Sequence, residues 1–277
     1  MSEFVSRFVD VEGIKTHYLE AGDPGAPPVV LIHGGGAGAD AVGNWRFCIP
    51  QFARDFHVLA VEMVGFGKTD KPDPATYDYS QQSRNKHMAG FIKAMDMGPL
   101  PLVGNSMGGA TALGVAMEQP ELIDRLVLMG SAGLNEEVTP ALEPIVHYDF
   151  TPEGMRRLID ALTSSTFEIT DELVKFRHDM SVVPETREAY KHIMGWIRQQ
   201  GGLAYTEEQI SAVKTPALVV NGKDDLVVPL TNGYRFLQLL ENSWGYFIPH
   251  CGHWAMIEHA DDFVAATTTF LKKDLGV

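Results

Sequence analysis

Leu100-Pro101-Leu102-Val103-Gly104-Asn105-Ser106-Met107-Gly108-Gly109-Ala110-Thr111 is the stretch on which the reading of this chain turns. A short apolar run, expected as a strand over 100–104, ends in a G-x-S-x-G pattern. A helix-compatible segment, Met107–Glu118, follows at once and is stopped by Pro120. A strand that turns directly into a helix holds its corner residue above the sheet edge, in strained backbone geometry that small neighbours at Gly104 and Gly108 relieve. The hydroxyl of Ser106 then stands at a helix N-terminus, where free N–H groups favour negative charge. The pattern by itself is common, and a serine in a Gly-rich turn also serves as a helix N-cap, so its meaning depends on what lies elsewhere in the chain.

Three other stretches supply that context. Gly222-Lys223-Asp224-Asp225-Leu226-Val227-Val228-Pro229 follows an apolar run expected as a strand over 217–220, and His250-Cys251-Gly252-His253-Trp254 follows a last run over 246–248. A serine hydroxyl is a weak nucleophile until an imidazole takes its proton, and a buried carboxylate then holds the imidazole tautomer. The order serine, aspartate, histidine supplies each type, with Asp224 and Asp225 competing for one role and His250 and His253 for the other. The third stretch, His33-Gly34-Gly35-Gly36-Ala37-Gly38, follows Pro28–Ile32. Its glycines let backbone N–H groups approach a ligand closely.

The rest of the chain alternates in the same manner. Val5–Val11 and 15–20 read as a hairpin turning at Glu12-Gly13, 56–63 and 125–129 as strands, and 79–95 and 260–272 as helices. Strand–helix alternation implies an α/β fold with a mainly parallel sheet and helices on both faces. From 134 to 210 the rhythm breaks. Helical segments over Pro152–Leu162, 171–180 and 185–200 come without a convincing buried strand, so we expect a helical cap (134–210) inserted into one core (1–133 and 211–277). A length of 277 residues suits one such domain. With 45% hydrophobic and 21% charged residues the chain is ordinary for a globular protein, and a net charge of −14 argues against a nucleic-acid partner. No apolar run is long enough for a membrane span, and the opening Met1-Ser2-Glu3-Phe4-Val5-Ser6-Arg7 has no leader-like segment. Cys48 and Cys251 are too few for a disulfide scaffold and fit buried thiols in a reducing cytoplasm. Gly65-Phe66-Gly67-Lys68-Thr69 ends like a phosphate-binding loop, but the position that requires the first glycine is Glu62. The histidines and cysteines show no metal-ligand spacing, so neither metal nor cofactor is expected.

Taken together, the His33–Gly38 and Gly104–Thr111 stretches, Gly43-Asn44-Trp45, Gly65-Phe66-Gly67-Lys68, Leu128-Met129-Gly130-Ser131-Ala132-Gly133 and Cys251-Gly252-His253-Trp254 resemble the meta-cleavage product hydrolases. These are carbon–carbon bond hydrolases of the α/β-hydrolase fold from aromatic degradation, and the chain is most similar to the members acting in carbazole, dibenzofuran and dioxin breakdown. The resemblance implies a Ser106, Asp225 and His253 triad, because the family's G-x-x-D and G-H-W patterns select Asp225 and His253 from their competitors. It also implies an oxyanion hole from the backbone N–H groups of Gly35 and Met107. The implied substrate is an anionic 2-hydroxy-6-oxo-6-arylhexa-2,4-dienoate. Its polar end would be held by Arg177, Asn44 and Asn105, and Trp254 would wall the site. Arg177 also sits among helix charges that could make it a surface ion-pair partner. A homo-oligomer, at least a dimer, is expected by the same resemblance. The competing readings are a serine carboxylesterase on the same scaffold and a ligand-binding module that kept the triad. A simple esterase acting on uncharged esters has no need of the Arg177 cation.

Overall fold

A computed structural model describes residues 4–274. Met1–Glu3, where the stretch read as lacking a leader begins, and residues 275–277 of the expected core lie outside the described residues. The strands are β1 (Val5–Val11), β2 (Ile14–Ala21), β3 (Pro28–Ile32), β4 (His57–Val61), β5 (Leu100–Asn105), β6 (Ile123–Met129), β7 (Leu134–Asn135), β8 (Leu203–Ala204), β9 (Ala217–Gly222) and β10 (Ser243–Ile248). The helices are α1 (Ala41–Trp45), α2 (Ile49–Phe52), α3 (Gln81–Met95), α4 (Met107–Glu118), α5 (Glu143–Val146), α6 (Pro152–Leu162), α7 (Asp171–Ser181), α8 (Pro184–Gln200), α9 (Glu207–Ser211), α10 (Leu230–Leu239), α11 (Ala255–Glu258) and α12 (Ala260–Leu271).

Among the described residues, eight strands form one sheet in the order β1-β2-β4-β3-β5-β6-β9-β10. The pairs β1–β2 and β2–β4 are antiparallel and the rest parallel. Both β4, His-Val-Leu-Ala-Val, and β9, Ala-Leu-Val-Val-Asn-Gly, are buried along their whole length, as strands covered by helices on both faces must be. The β1–β2 hairpin turns at Glu12 and Gly13 with φ of 52° and 86°, the positive pair that a two-residue hairpin needs. The chain leaves β3 toward β4 on one side and later returns to β5 on the other. That reversal opens a crevice at the carboxyl ends of β3 and β5, where ligands bind in open α/β sheets. The loops after β9 and β10 end at the same edge.

Between β6 and β9 the chain folds as α5, α6, α7, α8 and the short α9; α5, α6 and α8 bury largely apolar faces, and α7 buries Val174, Arg177 and Ser181. On α6 the buried residues are Met155, Leu158, Ile159 and Leu162, at helical spacing, and Thr151 caps the helix by accepting from the Gly154 N–H. Antiparallel β7 and β8, two residues each, clip the two ends of this excursion together. Strands this short carry no periodicity, which is why the sequence reading passes over them. It passes over α10 too, whose N-cap position is Pro229 with no side-chain cap and whose middle holds Gly233. The edge strand β10 starts earlier than expected because its first three residues, Ser243, Trp244 and Gly245, lie exposed or half-buried at the sheet edge and leave no apolar run.

At the junction of α1, α2 and α12, Phe263 is fully buried, stacked on Trp45 and edge-on to Phe52, with centroids 6.2 Å away in both cases. Truncating Phe263 to alanine is expected to cost about 3–5 kcal/mol. In urea unfolding this would lower the midpoint with the slope unchanged.

Candidate active site

The corner at Ser106 has φ 55° and ψ −119°, a conformation that costs a non-glycine residue about 1–3 kcal/mol. It is held on three sides. The Ser106 N–H donates to the Met129 carbonyl at 3.1 Å, and the Ser106 carbonyl accepts from the N–H groups of Ala110 and Ala132, both at 3.1 Å. The surrounding glycines are spatial necessities. A Cβ on Gly104 would lie 2.5 Å from the Gly108 carbonyl oxygen, and one on Gly108 would lie 2.4 Å from that of Ile32. The Ser106 side chain makes no capping hydrogen bond, so its hydroxyl is not spent on the helix. It remains partly exposed and faces a cavity shared with His253, Gly35, Met107, Arg177 and Trp254.

Asp225 and His253 are buried and meet, with Nδ1 of the imidazole 2.7 Å from Oδ2 of the carboxylate. The other oxygen, Oδ1, accepts from the N–H groups of Val227 at 2.9 Å and Val228 at 2.8 Å. An ionised carboxylate suits this arrangement: with Nδ1–H donated to it, Nε2 is left as the basic nitrogen. The competitors lie elsewhere. Asp224 and His250 are exposed, and the His250 carbonyl accepts from His259. The His253 loop is also stitched to the β6–β9 excursion. The His253 N–H donates to the Leu162 carbonyl at 2.9 Å, and Glu258 accepts from both the Gly252 N–H at 3.1 Å and the Ser164 N–H at 2.9 Å.

His33 organises the glycine loop. Its Nδ1–H donates to the Gly34 carbonyl at 2.7 Å, while Nε2 accepts from the Met63 N–H at 3.0 Å. Burial holds the imidazole below its ordinary pKa, in the neutral form that one donor and one acceptor require. With the Gly34 carbonyl turned to His33, planarity puts the Gly35 N–H on the opposite side of the same peptide. Among the described residues, neither the Gly35 nor the Met107 N–H donates a hydrogen bond. The two segments touch, since a Cβ on Gly35 would come within 2.6 Å of Met107 Cε.

Arg177 is 2% exposed. Its Nη2 donates to the Ala37 carbonyl at 2.9 Å, and its guanidinium lies 4.8 Å from the Trp254 ring centroid. Its Nε has no partner, and no carboxylate lies within ion-pair distance among the described residues. Burial lowers its pKa to about 10, which leaves it cationic at neutral pH. The neighbouring helix charges pair without it, Lys175 with Asp179 and Arg156 with Asp171. Asn44 and Asn105 are buried together. Asn44 Nδ2 donates to Asn105 Oδ1 at 3.3 Å, using one of its two N–H groups. The Asn105 amide in turn donates to the Met129 carbonyl at 3.2 Å, so part of its donor capacity holds the turn itself.

Several residues escaped the sequence reading. Glu62 was noted only as an obstacle to phosphate. Its buried carboxylate lies 2.8 Å from His17 Nδ1 and accepts from the N–H groups of Lys68 and Ala41. Glu258 and Asn135 carry no motif, because they matter through Ser164 and Val227, distant in the chain, and Asp40 caps a helix of five residues, too short to leave a periodic signal. Among the described residues, no group of three or more His, Cys, Asp or Glu side chains could hold a metal ion.

A family model described as the alpha/beta hydrolase fold matches residues 27–260. The chain is 54% identical over 273 residues to a 2-hydroxy-6-oxo-6-(2'-aminophenyl)hexa-2,4-dienoic acid hydrolase of Metapseudomonas resinovorans, covering 98% of this chain and 92% of that one. Among solved structures it is similar to a serine hydrolase involved in carbazole degradation, with TM-score 0.89, 53% identity and coverage of 97% and 99%. It is also similar to a meta-cleavage product hydrolase from Pseudomonas fluorescens IP01, with TM-score 0.88, 34% identity and coverage of 95% and 96%.

Asp40 yields a pH prediction. It caps α1 through the Gly43 N–H, and burial raises its pKa to about 6. Below the unfolded value of 3.8 the carboxyl is protonated in both states and contributes nothing. Between that value and about 6 the unfolded chain ionises first, so stability is lost as pH rises, by up to about 3 kcal/mol. Asp40→Asn keeps the cap. It is therefore expected to unfold at higher urea than the parent at pH 8 and at the same urea near pH 3.

Proposed function

Because the chain belongs to the α/β-hydrolase fold family and, within it, to the meta-cleavage product hydrolases, we propose that it hydrolyses the carbon–carbon bond of 2-hydroxy-6-oxo-6-arylhexa-2,4-dienoates. The products are 2-hydroxypenta-2,4-dienoate and an aromatic acid such as benzoate, salicylate or anthranilate. The observation that carries this reading is Arg177, a buried cation without an ion-pair partner among the described residues, in the same cavity as Ser106 and His253. A site for uncharged esters gains nothing from such a group. The substrate's carboxylate supplies the missing anion.

The chemistry follows from the leaving group. Breaking the C5–C6 bond directly would expel an unstabilised carbanion. The dienol therefore first loses its O2 proton and gains one at C5, with His253 handling the transfer, to give the 2,6-diketone. Ser106 Oγ then adds to C6 as His253 Nε2 takes its proton. The C6 oxygen becomes an oxyanion held by the Gly35 and Met107 N–H groups. Collapse of that oxyanion breaks C5–C6, and the released pair is delocalised onto the C2 carbonyl as a dienolate. The imidazolium protonates the dienolate, and an aroyl ester remains on Ser106. Water, deprotonated by His253, hydrolyses the ester to the acid. Asn44 and Asn105 brace the polar end, and Trp254 covers the Arg177 guanidinium.

No helix among the described residues is long and apolar enough to cross a membrane. Cys48 and Cys251 are free and buried, and burial pushes both thiols up in pKa, which accords with a cytoplasmic enzyme. Assembly into at least a dimer belongs to the same reading. The edge strand β10, with Trp244 and Tyr246 more than a third exposed, is the supporting surface. Light scattering that gives a monomer mass overturns the dimer.

The yellow phenyl-substituted dienoate is expected to bleach on mixing with the enzyme and to yield benzoate, with no benzoate formed by Ser106→Ala. Turnover of neutral aryl esters without bleaching would establish the carboxylesterase reading instead. Ligand binding with neither activity would establish the binding module. Arg177→Leu is expected to lower kcat/KM for the dienoate about 10- to 100-fold, from the loss of charge-assisted hydrogen bonds, and to spare a neutral ester.

A further inference from the structure

Asn135, on β7, has a side chain more than nine-tenths buried and lines the same cavity as Ser106. Its Nδ2 donates to the Val227 carbonyl at 3.4 Å. A carbonyl can only accept, so the nitrogen is the amide atom that faces Val227 and the oxygen is the one left over. That oxygen, Oδ1, has no hydrogen-bond partner. Two apolar residues next to it line the same cavity, Leu203, its partner in the β7–β8 ladder, and Val227. A buried acceptor without a donor is unfavourable, and native proteins keep few of them.

The topology says which end of a substrate would meet it. In the sheet, β3 and β9 lie on opposite sides of β5, the strand that ends at Ser106. Arg177 is fastened to Ala37, in the loop after β3, and Asn135 to Val227, in the loop after β9. A dienoate with its carboxylate at Arg177 and its C6 carbonyl at Ser106 extends its aryl ring toward the β9 side. We propose that Asn135 is a specificity-determining residue whose Oδ1 accepts a hydrogen bond from an amino or hydroxyl substituent on that ring. The proposal rests on the function given above and narrows the substrate class to aryl groups that bear a donor. In a 2'-amino substrate one N–H is shared with the adjacent ketone, and the second is free for Asn135.

The test compares kcat/KM for the 2'-amino, 2'-hydroxy, 2'-methyl and unsubstituted phenyl dienoates in the parent enzyme and in Asn135→Leu. The methyl group fills the space of the amino group without donating. The parent is expected to prefer 2'-amino over 2'-methyl by about tenfold, a comparison that needs no variant to fold. Asn135→Leu is expected to lose about tenfold on the 2'-amino substrate, to lose less on the 2'-hydroxy substrate, whose single O–H is shared with the ketone, and to change less than about twofold on phenyl and methyl. Equal amino and methyl rates in the parent, or a uniform loss over all four substrates in the variant, would overturn the role of Asn135 and leave the hydrolase reading intact. Failure of the parent to cleave even the phenyl dienoate would overturn both.

Discussion

A positive φ at Ser106 is the constraint to which the rest of this sheet edge is fitted. A serine does not hold that conformation unaided. Hydrogen bonds from β6 and from the start of α4 over-determine it, and glycines at 104 and 108 let helix and strand backbones come nearer than any side chain would allow. Gly108 sits directly over the carbonyl oxygens of Ile32 and His33, so the same close approach that relieves the corner also fixes α4 against the end of β3. The His33 loop is thereby set beside Met107. Gly35 and Met107, from segments far apart in sequence, line one cavity because one residue has an improbable backbone.

Charge in this molecule is arranged locally rather than globally. The chain carries a net charge of −14, yet the charged side chain lining its cavity is an arginine. Taking a guanidinium out of water is costly, and Arg177 recovers only part of the loss from one carbonyl and the face of Trp254. The nearest compensating carboxyl, Asp40, is itself burdened by burial. A site organised this way is poorer alone than with an anion in it. Asp225 is the opposite case, since its two oxygens accept from Val227, Val228 and His253 within the folded chain.

Much of this was legible in the amino-acid order because it is local. The apolar runs of β3 and β4 mark buried strands, the spacing of Met88, Phe91 and Ile92 marks α3, and Gly104-Asn105-Ser106-Met107-Gly108 marks a corner in which Gly104 must clear the carbonyl of Gly108, four residues on. What escaped is decided by contacts across the chain. Leu134 pairs with Ala204 in a ladder too short to leave a periodic trace. Glu258 matters through Gly252 and Ser164, and the second of these is 94 residues away. Asn135 is an unremarkable asparagine until its oxygen is found without a partner. The distinction between Asp224 and Asp225 is one of burial, which the two residues alone do not reveal; in sequence only the G-x-x-D pattern of the resemblance separates them.

The hydrogen bonds donated by the His253 N–H to the Leu162 carbonyl and by the Ser164 N–H to Glu258 also divide the long excursion between β6 and β9 into two closed loops. The β7–β8 clip closes the excursion at its base, and the tether at 162–164 closes it again midway. Loop-closure entropy grows only with the logarithm of length, about 0.6 kcal/mol for each doubling. Either half can therefore gain or lose residues at small thermodynamic cost while the other keeps its ends in place. The half holding α5 and α6 and the half holding α7 and α8 are two independently variable walls of one cavity. Insertions and deletions in such a chain can reshape the two walls separately, without disturbing the tether beside His253 at which both halves meet.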